Sequence, residues 1–495
     1  MTETSTAPET TAIRTDLLIG GEWQQPAAGE RMDVTDPATG EVIGEVAGAT
    51  VADVDAAVAA ARKAFDDGGW SRISGRERSR VLLRVAALIR ERSEELAQAE
   101  SPDVGKPIMF TRMIDVPTAA DQFEYFASLA QHLDGAVRET PLPAFAFTRR
   151  EPRGVVAAIS PFNFPLILSS SKLAPALAAG NTVVHKPAPQ TPLSALLMAD
   201  ILREAGVPAG VYNLVIGPGP ELGDALVRHP DVDMVAFTGS TAVGRIVART
   251  AGEHLKPVAA ELGGNAANIV FADADLDKAI GAVINAFVFN TGQFCMAGPR
   301  LLVDRSLYET VVGILGNAVG GVPLGRPSDP GTVIGPVASR AQLERIEQMV
   351  QDAVAAGGTV VTGGHRVELD GGFYYAPTVI AGLDNDAVAV KEEVFGPVLT
   401  VQPFDTEEEA IRLANSTPYG LAAGVQTGSI SRAHRVANRL EAGIIWVNGW
   451  AMLDPAVPFG GVKASGWGRE SGPEALESFT RSKSVIVTID PEDAA

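Results

Sequence analysis

The sequence predicts an α/β fold built on two successive helix-and-strand units, and three observations predict it. Between residues 154 and 251, short apolar runs alternate with helical stretches. The runs are rich in Val, Ala and Ile, as strands of a parallel sheet covered by helices are. A second α/β stretch follows over about residues 265–463, and an isolated strand-like run at 482–490 belongs to neither. At 495 residues the chain is long enough for several domains and a large core without covalent staples.

Taken in order, residues 17–23 read as a short strand and turn. Residues 51–66 and 76–99 read as amphipathic helices, the second with Val81, Val85, Leu88 and Leu96 at helical spacing. A third helical stretch covers 115–133. Residues 141–149 are short, apolar and extended, an arm leaving one unit and returning. Strands follow at 154–159, 181–186, 211–216 and 232–237, with helices at 167–178, 192–205, 220–228 and 242–251 between and after them. The second unit offers strands at 267–271, 300–304, 358–363 and 443–448. Parallel sheets of this kind bind ligands at the carboxyl ends of their strands.

Composition narrows the function. Sixty Asp and Glu against forty Lys and Arg give a net charge of −20, and no basic block could neutralise phosphates, so a nucleic-acid partner is excluded. The charge serves solubility. The lone cysteine, Cys295, rules out an intramolecular disulfide and a cysteine-based zinc site, and fits a reducing compartment. No metal is expected. Residues 1–16 lack the apolar core of a secretory signal and read as a disordered leader. The most apolar stretch, 155–179, is interrupted by Pro161, Asn163, Pro165, Lys172 and Pro175, a poor membrane span. A soluble cytoplasmic protein is expected.

Several short motifs carry chemistry. Gly217, Gly219 and Gly223 follow a strand but are spaced one residue too far for a dinucleotide fingerprint; a turn that needs glycine explains them. Gly239 and Gly244 bracket Ser240 and Thr241 where a strand gives way to a helix, a setting for either an anion or an ordinary cap. Asn163, between two aromatics and two prolines, reads as a turn amide or as a fixed oxyanion donor. Cys295 sits among Asn, Thr, Gly and Gln, unusual neighbours for a core cysteine and suitable ones for a presented thiol. Glu261, followed by Gly263 and Gly264, is a cap or a general base.

Together these pieces are more specific than any one. PFNFP, VVHKPAPQTP, FTGSTAVGR, ELGGNAANIV, FNTGQFCMAGPR, EEVFGPV and PFGGVKASGWGRE occur in the order and at the spacing of the aldehyde dehydrogenase superfamily, which the chain resembles over about residues 15–490. The resemblance implies a Rossmann-like cofactor domain (17–130 and 149–262), an α/β catalytic domain (263–463) and a β oligomerisation arm and tail (131–148 and 479–495). It implies a homodimer or homotetramer acting on a small-molecule aldehyde.

It further implies NAD(P)-dependent oxidation of an aldehyde to an acid. Cys295 attacks the carbonyl carbon, Asn163 and the Cys295 N–H hold the oxyanion, and Glu261 activates the water that hydrolyses the thioester. Lys172 and Glu470 match the family's proton-relay positions. The cofactor set is Ser160, Phe162, Lys186, Pro189, Gly219, Phe237, Gly239, Ser240, Gly244, Leu262, Glu393 and Phe395. The substrate set is Phe164, Leu168, Ser171, Phe289, Phe294, Met296, Leu453 and Phe459, with Trp450 near the mouth.

Two departures matter. Pro189 stands where many NAD-specific relatives have Glu, so NAD is expected with NADP tolerated. Ser171 stands where many have Trp, so the tunnel is expected to be apolar and widened there. KPAPQTP also resembles the benzaldehyde and vanillin dehydrogenase branch. An uncharged aromatic or medium-chain aliphatic aldehyde is the expected substrate. The alternatives are a coenzyme A-acylating dehydrogenase or other thiol acyltransferase, disfavoured by Glu261 and the EEVFGPV segment, and a non-catalytic protein that keeps the fold.

Overall fold

The computed structural model describes residues 13–489. Most of the leader expected at 1–16, and the last residues of the tail, lie outside that range.

The first unit is an eight-stranded sheet. Its five parallel strands lie in the order Tyr212–Leu214, Thr182–Lys186, Val155–Ile159, Met234–Thr238, Val258–Glu261. Chain order reverses beside Val155–Ile159, which makes the carboxyl ends of that strand and of Met234–Thr238 a topological switch point. Antiparallel strands close both edges: Leu17–Ile19 with Glu22–Gln24, and Gly466–Trp467.

Side chains of Val155–Ile159 alternate between two cores. Val155, Ala157 and Ile159 pack with helices Val51–Asp67, Gly219–Arg228 and Thr241–Glu253. Val156 and Ala158 pack on the other side with Gly75–Glu91, Val116–Leu129, Pro165–Ala178 and Leu193–Glu204. Burial on both faces explains why these strands read as continuous apolar runs.

The helix expected over 76–99 is two helices, Gly75–Glu91 and Ser93–Val104. Arg92 leaves helical geometry between them (φ −100°, ψ 26°), its guanidinium fixed 2.7 Å from Glu95. The apolar spacing runs on across the break, so periodicity does not reveal it.

The second unit is a seven-stranded sheet, ordered Thr359–Thr362, Thr378–Ala381, Val398–Phe404, Arg300–Asp304, Ala267–Val270, Ala422–Gln426, Ile444–Val447. Only the first pairs antiparallel. In the third sheet, Thr480–Thr488 pairs along its length with Ala144–Pro152, which also pairs with Val137–Arg138. Val137, Phe145, Ile486 and Val487 of this sheet are exposed. Among the described residues, no helix is long and apolar enough to cross a membrane.

Candidate functional site

The site forms at the switch point. Strand Val155–Ile159 ends in the loop carrying Phe162, Asn163 and Phe164, and Pro165 opens the next helix, where its fixed φ and missing N–H cost nothing. Asn163 is buried, and its Nδ2 donates to the Gln293 carbonyl at 2.8 Å. One amide N–H is thereby spent on the Cys295 loop; the second remains.

That loop is tightly wound. Asn290, Thr291 and Gly292 are consecutive left-handed residues (φ 47°, 56° and 71°), unusual for the first two. Asn290 Nδ2 offsets the strain by donating to Asn163 O (2.9 Å) and Gln293 O (3.1 Å), and Thr291 Oγ1 donates to Gly335 O (3.1 Å). Gly264 lies against the Cys295 carbonyl so closely that a Cβ there would stand 2.1 Å from the oxygen. The thiol of Cys295 is half-buried at the wall of a cavity of about 340 Å³. Burial, then the charges of Glu393, Glu261 and Glu470, hold the thiol pKa well above its ordinary value, so the free protein carries a neutral thiol.

Glu261 ends its strand with the carboxyl buried, and neither oxygen accepts a hydrogen bond of ordinary geometry among the described residues. Burial and the neighbouring Glu470 push its pKa well up, against the pull of Lys172 and Arg469. A buried carboxyl so poorly satisfied is poised to take a proton. Lys172, fully buried, donates to Glu470 and to Thr238. Glu470 also faces the cavity.

The residues expected to hold a dinucleotide gather at the carboxyl strand ends. Ser240 caps helix Thr241–Glu253, its Oγ accepting from Val243 N at 3.3 Å. A Cβ on Gly244 would stand 2.3 Å from Leu262, so the missing side chain lets this helix end close on the sheet. The Phe237 ring lies under Gly239, and Gly219 begins the helix after strand Tyr212–Leu214. Lys186 ends its strand buried, without an ion-pair partner among the described residues; burial brings its pKa down to about 8. Pro189 follows in a half-buried turn. Glu393 accepts from Gly264 N at 3.0 Å, and burial raises its pKa to about 7. Phe395, left-handed at φ 56°, meets Phe162 edge-on at 5.8 Å between centroids. A buried cation without an ion-pair partner among the described residues, a half-buried carboxylate bonded to a backbone N–H, and a helix N-terminus at neighbouring strand ends fit ribose hydroxyls and a pyrophosphate.

Ser160 departs from the expectation. Its hydroxyl turns inward, 2.9 Å from His185 Nε2 and 3.2 Å from Ser169 Oγ, which leaves only its backbone toward the crevice. His185 also meets the Tyr212 hydroxyl, and burial brings its pKa down to about 3, so it is a neutral fastener between strand and loop. Nothing in its local sequence marks it.

Phe164, Leu168, Ser171, Phe289, Phe294, Met296, Leu453 and Phe459 all line the cavity at Cys295. Trp450 is not at its mouth. The indole is buried beside Trp446 (5.1 Å between centroids) and against Gly298 and Gly424, filling a small core of the second unit. Ser171 is also a correction: its hydroxyl donates to Glu470 at 2.7 Å, so the wall there is polar. The sequence reading missed Phe110, Ile114, Asp121, Gln122 and Asp454 in the lining. They come from the preceding helical region and a later loop, which only the tertiary fold brings here.

The aldehyde dehydrogenase family model matches residues 23–485. DhaS of Bacillus subtilis (strain 168) is 44% identical over 474 residues, with 96% of each chain covered. The NAD+ complex of an aldehyde dehydrogenase from Bacillus cereus is 43% identical, with a TM-score of 0.96, covering 99% of this chain and 100% of that one. The indole-3-acetaldehyde dehydrogenase AldA of P. syringae, solved as a cysteine-to-alanine mutant with NAD+ and IAA, is 41% identical, with a TM-score of 0.95 and 97% of each chain covered.

Proposed function

Because this chain belongs to the aldehyde dehydrogenase family, we propose that it oxidises an uncharged aromatic or medium-chain aliphatic aldehyde to its carboxylic acid. NAD, held by Ser240, Lys186, Glu393 and Phe395, supplies the hydride acceptor when bound. Pro189 offers no carboxylate against a 2′-phosphate, so NADP is tolerated.

The chain's own residues do the rest. Cys295, its thiol proton released to water, bonds through sulfur to the carbonyl carbon. The free N–H of Asn163 and the Cys295 N–H donate to the oxyanion as it forms. After oxidation the acyl group is a thioester on Cys295. Glu261 takes a proton from the attacking water and passes it to the departing sulfur, which leaves as the thiol, with the Lys172–Glu470 pair as its neighbour for proton exchange. A base in this place favours water over coenzyme A as acyl acceptor. A reactive lone thiol suits a reducing compartment such as the cytoplasm.

One observation carries the substrate class. Cys295 opens on a cavity walled by Phe110, Phe164, Phe289 and Phe294, with Asp121 and Asp454 in the lining and no Lys or Arg. Aromatic walls favour apolar substrates, and Asp454 repels a carboxylate, while Asp121 is already paired with Arg90 at 2.7 Å. AldA of P. syringae, named for an aromatic aldehyde, supports the same class. The exposed apolar side chains of the arm and tail sheet, with the free edge of Thr480–Thr488, favour pairing with a second copy, as homodimer or homotetramer.

The test is kcat/KM for benzaldehyde, hexanal and succinic semialdehyde. Benzaldehyde or hexanal should lead. Succinic semialdehyde as the best substrate would overturn the substrate class.

A further inference from the structure

Behind the tunnel wall lies a buried charged cluster that the chemistry above does not use. Lys106 has no exposed side-chain surface, and its Nζ sits 2.6 Å from Asp115 Oδ2 and 3.9 Å from Glu100 Oε1, both equally buried. The same Nζ stands 3.7 Å from the centroid of the Phe164 ring. Glu100 in turn accepts from the backbone N–H of Leu166 at 3.0 Å. So one cluster grips the ring of Phe164 and, two residues on, the chain that leaves it.

The backbone is shaped to make this contact. Asp115 ends a π-helical turn, Thr111–Asp115, set between Ile108–Phe110 and Val116–Leu129. The wider turn directs Asp115 to Lys106 while Phe110 and Ile114 line the cavity. Such turns are rare and concentrate at functional sites. Burying a lysine is costly unless it is paired, and an apolar residue of similar volume is often no less stable. A cation held out of water against an aromatic face is a strong orienting contact.

We infer that Lys106, paired with Asp115 and Glu100, is a positioning residue for the aldehyde tunnel. It fixes the Phe164 ring, and so sets how well the tunnel accepts a flat aromatic group near Cys295. Phe164 is the link: its ring lies 5.9 Å from Phe289, which meets both Phe110 and Phe294 edge-on. A ring that loses its anchor loosens the whole aromatic wall.

This deepens the substrate reading above but is tested apart from it. The readout is alkylation of Cys295 by phenacyl bromide relative to iodoacetamide, which needs no cofactor and no turnover. The whole protein is used, with melting temperature as the check on folding. Lys106→Met should lower the phenacyl-to-iodoacetamide rate ratio about fivefold or more, with iodoacetamide alone changed less than about twofold. Phe164→Leu should lower the ratio similarly, and the double variant should lose no more than Phe164→Leu alone. An unchanged ratio in Lys106→Met, or additive losses in the double variant, would overturn the inference. If Lys106→Met does not fold, Phe164→Leu carries the test, and an unchanged ratio there overturns it. Preference for succinic semialdehyde in the wild type would sink the substrate reading and leave this measurement intact.

Discussion

Ser171 and Lys172, consecutive on one helix, each hold a different oxygen of Glu470: Ser171 Oγ donates to Oε2 at 2.7 Å, and Lys172 Nζ donates to Oε1. The carboxylate is clamped between the tunnel wall and the buried lysine, with Glu261 close enough to feel its charge. A bond to a charged group contributes about 1.5–3 kcal/mol. Ser171→Ala frees one oxygen without blocking the tunnel. We expect kcat to fall about tenfold with KM for benzaldehyde within about twofold. Steady-state kinetics checks this; an unaltered kcat would show that the clamp has no part in turnover.

Glu261 is the test of how the thioester leaves. With the carboxylate replaced by an amide in Glu261→Gln, no base activates water, although the amide still fills the same space. Loss of a general base costs about 10²–10⁴-fold. Rapid mixing should therefore show a fast rise of about one equivalent of NADH per Cys295, then a slow steady rate. A variant with neither burst nor turnover would show that Glu261 is needed before hydride leaves, and would overturn its assignment to thioester hydrolysis alone.

Much of this was legible before folding because it is local. Strands of the first sheet are buried on both faces and read as apolar runs, and Ser240, bracketed by Gly239 and Gly244, marks a helix start by its chemistry. Three strands of the second sheet, Thr378–Ala381, Val398–Phe404 and Ala422–Gln426, were missed; Pro377 and Pro397 precede two of them and read as loop. Trp450 follows a strand in a segment that aims the indole either at solvent or at the core, and only Gly298 and Gly424, which leave room for it, decide. The Lys106–Asp115 pair depends on a π-helical turn that has no periodic signature, and Asp121 and Asp454 line one cavity although more than three hundred residues of chain separate them. Contacts of that range are products of topology, not of spacing.

Pro189 makes a prediction about cofactor choice. It holds the third position after Lys186, and it can neither bond a 2′-hydroxyl nor repel a 2′-phosphate. NAD should be preferred to NADP by less than about a thousandfold in kcat/KM, some 4 kcal/mol. Pro189→Glu should widen that preference at least about tenfold, chiefly through the KM for NADP. A wild type already beyond a thousandfold would mean that another group reads the ribose.

Glu393 gives the pH dependence. Burial places its pKa near 7, with the Gly264 N–H as its one hydrogen-bond donor among the described residues. Below that pH the group is neutral; above it, it is a carboxylate able to accept from ribose hydroxyls. The raised pKa means that the free protein holds this proton until about pH 7, so NAD binding in that range should expel it. Affinity for NAD should therefore tighten about three- to tenfold between pH 6 and 8, and calorimetry in buffers of different ionisation enthalpy should record proton release near pH 6.5. Glu393→Gln should bind more weakly at pH 8 and show a flat profile. The same charge raises the Cys295 thiol pKa, so removing it should speed iodoacetamide labelling at pH 8.5 by about three- to tenfold. The two changes run in opposite directions, tighter binding lost and thiol reactivity gained. A general loosening of the site would weaken NAD at every pH without that gain in labelling, and would count against Glu393 as the titrating group.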